Sequence, residues 1–193
     1  MVNILDKVQP KTKEQLKQLI NYAFKHDIYD LNFIDTSKIT DMSWLFENVK
    51  HNFDISSWDV SNVKDMSYVF QFCYDLDCDL SSWDVSNVTN MKCMFACCEK
   101  FNCDLSNWNV SNVTNMSHMF FYCENFDINC FKSWDVSNVE NTSYMFYNCK
   151  NFNCDLSDWD ISNITRWKNV FCECDKMTIP NWYKKLYIIK NKI

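Results

Sequence analysis

The sequence predicts an α/β repeat solenoid, with short strands on one side, short helical or 3-10 segments on the other, and a helical cap at each end. Three observations predict it. The nonapeptide W-D-V-S-N-V-T-N-M recurs in near copies that start at Trp58, Trp83, Trp108, Trp134 and Trp159. Apolar residues hold fixed places within each copy. Stretches of helical period flank the array on both sides. A unit of this size cannot bury an apolar face alone, so its copies must stack to share one core.

The first element is an N-terminal helical cap within residues 1–30. Leu16, Leu19, Ile20, Ala23 and Phe24 fall on one helical face. Thr12 and Gln15 have the spacing of a capping box just before them. The repeats follow over residues 31–174 as six units, the first a degenerate copy, I-D-T-S-K-I-T-D-M, starting at Ile34.

With each Trp as place 0, Phe stands at +12 in all six units: Phe46, Phe70, Phe95, Phe120, Phe146 and Phe171. Cys stands at +15 in five, and Val49 takes its place in the first. The stretch Cys78 to Trp83 alternates, with Leu80 and Trp83 inward and Asp79 and Ser81 outward, and reads as a short strand. In Thr114 to Cys123, residues Met116, Met119, Phe120 and Cys123 lie on one face of a short helix or 3-10 turn, with Thr114 or Asn115 as its cap. The fourth junction, Asp127 to Trp134, carries one extra residue and places Lys132 where other units have Ser. The last element is a C-terminal cap over residues 175–193, with Pro180 near the start of its helix. The whole is one domain.

Composition narrows the function. The chain has 193 residues, 47% of them hydrophobic, enough for a sizeable core. Its formal charge of -6 argues against nucleic acid, whose phosphates need a basic face. No stretch is long and apolar enough to cross a membrane, and Met1 to Ile20 does not read as a secretory signal. That predicts an intracellular protein, cytoplasmic or in the host cytoplasm if viral. Glycine is absent. This removes phosphate-binding loops, dinucleotide fingerprints and nucleophile elbows. It also forces positive φ onto other residues, for which the many Asn are the expected hosts. Scarce Gly, Pro and Arg with abundant Asn, Lys and Ile suggest an AT-rich genome, that of a microbe or large DNA virus.

The run M-F-x-x-C-x-x-F-N-x-D-L-S-x-W-D-V-S-N-V-T-N-M, best seen in Met145 to Ile164, resembles the BspA-like class of leucine-rich repeats. The resemblance covers Leu31 to Cys174. It implies a leucine-rich-repeat-like right-handed coil with a parallel sheet on one side, and adhesion or protein binding with no catalytic residues.

On such a sheet, equivalent side chains form ladders about 4.8 Å apart. Asp54, Asp79, Asp104 and Asp155 form one, read as shaping their own turns through nearby Ser amides rather than holding Ca²⁺. The 12 Cys follow the repeat rather than zinc spacing, and read as free, mostly buried thiols. Three His at unrelated places leave only Cys93 and His118, one unit apart, as an adjacency. The predicted function is therefore a non-enzymatic protein-protein interaction scaffold without cofactor, metal or catalytic residues. Its expected interaction surface is Asp54, Asp79, Ser81, Asp104, Ser106, Lys132, Asp155 and Ser157, small and acidic, which favours a basic protein partner. The alternatives are a self-associating building block of a particle or surface layer, and a surface adhesin as the resemblance implies.

Overall fold

The structure, a computed structural model, describes residues 7–127 and 131–190. Two helices bracket the repeats: α1, Lys13–Lys25, and α2, Asn181–Lys190. Helix α1 starts where its caps place it. The Thr12 hydroxyl accepts the Gln15 N–H at 3.3 Å. The Gln15 side chain accepts from Lys11 N–H at 2.8 Å, one residue earlier than a standard capping box would have it. Leu16, Ile20 and Ala23 are buried against the first repeat. The helix ends in a Schellman turn, with Ile28 N–H on the Ala23 carbonyl and Asp27 N–H on that of Phe24. Asp27 fills the left-handed place at φ 56° that Gly usually takes.

Between the helices the six units stack as rungs. The predicted α/β solenoid with a parallel sheet is not what forms. Among the described residues there is no strand, only isolated parallel bridges, five of them in one line from Asp41 through Asp65, Asn90, Asn115 and Asn141 to Arg166. The predicted short helices are turns, and among the described residues the only 3-10 segment is Phe131–Ser133.

The backbone bonding gives the reason. In the third rung, N–H groups of Met91, Cys93, Phe95 and Cys97 donate to carbonyls of Asn115, Ser117, Met119 and Phe121 in the next rung, at 2.7–2.9 Å. The N–H groups between them stay local: Met94 bonds to Met91, Ala96 to Cys93 and Cys98 to Phe95. Donors alternate between the neighbouring rung and the residue three back. A strand would pair outward throughout, and a helix would bond four back. This segment does neither.

The first and last of these local turns place positive φ at their third residue. These fall at +10 and +14 in every unit: Trp44, Tyr68, Cys93, His118, Tyr144 and Asn169, then Asn48, Phe72, Cys97, Tyr122, Asn148 and Glu173. The expectation that Asn would host positive φ thus holds at only three of these twelve places. The position in the turn decides the conformation, and the outward direction of the side chain leaves room for bulky rings there.

The core is a set of columns. The +12 rings stack at 5.5–5.9 Å from Phe46 to Phe171. Phe53, Phe101, Phe126 and Phe152 each lie 4.1–4.4 Å from the +12 ring of their own rung. Each buried Trp donates its ring N–H to the carbonyl three residues before the Trp of the rung behind it, as Trp83 does to Ile55 and Trp108 to Leu80. Helix α2 extends the column: Trp182 donates to Leu156 at 2.7 Å, where a seventh repeat would have done so. Asn62, Asn87, Asn112, Asn138 and Asn163 likewise donate side-chain N–H to the preceding rung's Ser carbonyl.

Eleven described cysteines are free. The five at +15 donate S–H to the preceding rung's Phe carbonyl at 2.8–3.0 Å. Cys in this column is a small apolar filler that also satisfies a buried carbonyl.

Candidate interaction surfaces

The residues expected to form the interaction surface are placed in one column on the outside of the stack. Asp54, Asp79, Asp104, Asp155 and Ser157 are exposed, and Ser81 and Ser106 half-buried. Each Asp accepts the N–H of the Ser two residues on, at 2.9–3.1 Å, in the order Ser56, Ser81, Ser106 and Ser157. Hydrogen bonding from Ser56 (backbone first, then side chain) and Ser81 (side chain first, then backbone) holds the Asp54 and Asp79 carboxyls below their ordinary range. The column therefore shapes turns, and one oxygen of each carboxylate is committed to that task. Lys132 lies in the 3-10 segment Phe131–Ser133, and its side chain lies outside the described residues. The rest of the inserted junction, residues 128–130, also lies outside them. Phe131 takes the inward place held by Leu80 and Leu105 elsewhere, fully buried.

At the N-terminal end this column deepens into a groove of about 440 Å³ lined by Asp54 and Asp79 together with Tyr29, Asp30, Asn52 and Asp77. Four carboxylates meet there with no Lys or Arg in the lining. Among the described residues no group of three or more His, Cys, Asp or Glu is arranged to hold a metal ion.

Cys93 and His118 both sit at +10 in adjacent rungs. Burial pushes the Cys93 thiol up to about 11 and holds the His118 imidazole below its usual value. Both shifts favour the neutral forms, the reverse of an activated thiolate–imidazolium pair.

A second surface went unnoticed in the sequence. In the first, second, fourth and fifth rungs, aromatic side chains at +10, +13 and +14 lie on the outside of the turns and build two clusters of rings. Trp44 stacks on Tyr68 at 3.7 Å and 9°. Farther along, His118 lies on Tyr144 at 4.8 Å, and Phe121 contacts Tyr122 and Tyr147 at 4.7 and 5.2 Å. Trp44 and Tyr122 each keep 40% of their surface exposed. Lys92 and Lys168 reach over the Tyr68 and Tyr144 rings from the next rung. Between the two clusters the third rung carries Cys93, Ala96 and Cys97 at these places, with no ring. The signal was present: Trp44, Tyr68, Phe72, Tyr122 and Tyr144 are aromatics that fall off the inward periodicity of their units.

The family described as a Mycoplasma protein of unknown function, DUF285, matches residues 14–131 and, in a second register, 73–185. Two overlapping matches are what a repeated unit produces. The match agrees with the resemblance to BspA-like repeats and carries no leucine-rich-repeat assignment. No curated protein matches the chain, and no solved structure matches it. The two matched stretches together run from residue 14 to 185, most of the chain, and the chain belongs to the DUF285 family.

Proposed function

We propose that the chain is a non-enzymatic scaffold that binds a protein partner through the outer surface of its stack. The observation that carries this reading is the pair of outward ring clusters. Tyr, Trp and Phe exposed together and held rigid by their turns are the side chains that dominate protein interfaces. Exposed rings gathered into clusters, Trp44 and Tyr122 among them, are the kind of apolar surface that marks an interaction site. The groove at Asp30, Asp54, Asp77 and Asp79 supports a basic partner, whose charges would meet the carboxylates at the rim.

Substitution at Tyr122 tests this. The partner is captured from native cells with wild-type chain, identified by mass spectrometry, and titrated against purified wild type and Tyr122→Ser. The variant should lose at least tenfold in affinity at unchanged melting temperature. An equal affinity would remove the ring clusters from the reading. The rival building-block role predicts a solution mass that grows with concentration. Helices α1 and α2 lie across the two ends of the stack and favour a monomer instead.

An intracellular location is part of the proposal. Its support is the column of five thiols, each donating S–H to a carbonyl, a role that only a reduced Cys fills.

A further inference from the structure

The sixth rung departs from the repeat at one outward corner. In the first five rungs Asp41, Asp65, Asn90, Asn115 and Asn141 stand at +7. A side-chain oxygen of each accepts the backbone N–H at +9, at 2.7–3.2 Å. In the sixth rung Arg166, the only arginine of the chain, holds +7 and Lys168 holds +9. A guanidinium has no acceptor to offer. Among the described residues no hydrogen bond takes the Lys168 N–H. Arg166 and Lys168 are both exposed, and among the described residues neither forms an ion pair. Glu140, just before Asn141, gives Arg166 only a backbone bond, its carbonyl accepting the Arg166 N–H at 3.1 Å. The Lys168 ammonium lies back over the Tyr144 ring of the fifth rung, 5.9 Å from its centroid. Together with Ser143, Thr165 and Trp167 the two cations line a pocket of about 290 Å³. Earlier rungs carry at most one cation at this corner, Lys92 in the third, and there Asn90 still caps the turn.

We propose that this pocket binds a phosphate group. An anion oxygen at the place of the missing Asx oxygen accepts the Lys168 N–H, as the side chain at +7 does in every other rung. The same anion faces a guanidinium, an ammonium and the Ser143 hydroxyl, all donors. A carboxylate has two oxygens and one charge. With one oxygen on the amide, a single oxygen is left for two cations. A phosphate monoester carries close to two charges and three strong acceptor oxygens. One oxygen serves the amide, and two remain for the planar fork of Arg166, the geometry in which Arg and phosphate pair best. Lys168 adds the second charge as a point cation.

This stands apart from the scaffold reading, and its failure leaves the ring clusters and their partner untouched. Isotope-labelled full chain is titrated near physiological salt at about pH 7.5, where phosphate is mainly the dianion. The probes are inorganic phosphate, acetate, and a short phosphoserine peptide with its unphosphorylated twin. The Lys168 amide resonance should shift and saturate with phosphate and phosphopeptide, at affinities at least tenfold above those of acetate and the unmodified peptide. Arg166→Asn restores the residue that the fifth rung carries at +7, so it should melt no lower than wild type. It should nonetheless bind phosphate at least tenfold more weakly, because its own oxygen occupies the Lys168 N–H. The peptide arm assigns the source. Tighter binding of the phosphopeptide than of inorganic phosphate makes the ligand a modified protein segment, and equal binding makes it the free ion. Acetate that binds as well as phosphate would overturn the proposal, as would an Arg166→Asn variant that binds phosphate as wild type does.

Discussion

At the scale of single residues, the chain solves without glycine a problem that glycine usually solves. Each rung needs two left-handed residues, and bulky side chains hold most of those places. An L-residue in that region carries roughly 1–2 kcal/mol of strain. Asn relieves part of it through its short polar side chain, and a β-branched residue makes it worse. Glu173, exposed at φ 61° in the last rung, tests the cost cleanly. Glu173→Asn should be more stable than Glu173→Val by about 1 kcal/mol or more in urea titrations. Coincident unfolding midpoints would mean that the left-handed turn is not maintained in solution.

The thiols give a second prediction at this scale. Burial pushes Cys73 and Cys174 up to about 12 and Cys98 well above its ordinary value. A thiol reagent at neutral pH should therefore label few sites in the native protein. After denaturation without reductant it should label close to all 12. A large shortfall after denaturation would reveal disulfides, and the S–H column with its reducing location would fall.

At the scale of the element, the fully buried Phe120 anchors a central rung. It stacks on Phe95, Phe126 and Phe146 at 4.4–5.6 Å. Phe→Ala at such a site costs roughly 3–5 kcal/mol. Phe120→Ala should lower the melting temperature by many degrees, far beyond the effect of Tyr122→Ser two residues away on the outside. Comparable small shifts would refute the inward assignment.

The inward set was legible in the sequence because burial depends on side-chain volume and polarity, which the repeat displays directly. Leu80, Trp83, Met116, Met119, Phe120 and Cys123 are all buried. Helix α1 was equally legible, since its caps and apolar face are local. What the rungs do between those points was not. A unit with apolar residues three and four apart has the pattern of a helix. In the chain, however, every second donor is captured by the next rung, a non-local bond that no single repeat announces. The outward rings of Trp44, Tyr68 and Tyr144 fall off the inward periodicity, which marks them as not core, but their direction is set by the positive φ at +10. The Asp ladder was legible as turn chemistry because Asp-x-Ser is a local signal.

At the scale of the whole molecule, that turn chemistry couples stability to pH. Hydrogen bonding from the serine two residues on holds Asp35, Asp54, Asp79, Asp84, Asp135 and Asp160 below their ordinary range. A carboxyl that is more acidic in the folded chain stabilises it fully above the unfolded value, about 3.9 for Asp, and loses that contribution as pH falls through the lower folded value. The urea midpoint should thus be flat from neutral pH to about pH 5 and fall below about pH 4. The repeat supplies its own control. In the fourth rung Asn109 replaces the Asp, and its side-chain oxygen still accepts the Ser111 N–H at 3.1 Å and hydroxyl at 2.7 Å. An amide keeps the turn without titrating. Replacing Asp84, Asp135 and Asp160 together by Asn should leave a folded protein whose acid loss is smaller than that of wild type. If the triple variant and wild type lose stability in parallel as the pH drops, the acid sensitivity arises elsewhere and these carboxylates do not carry it.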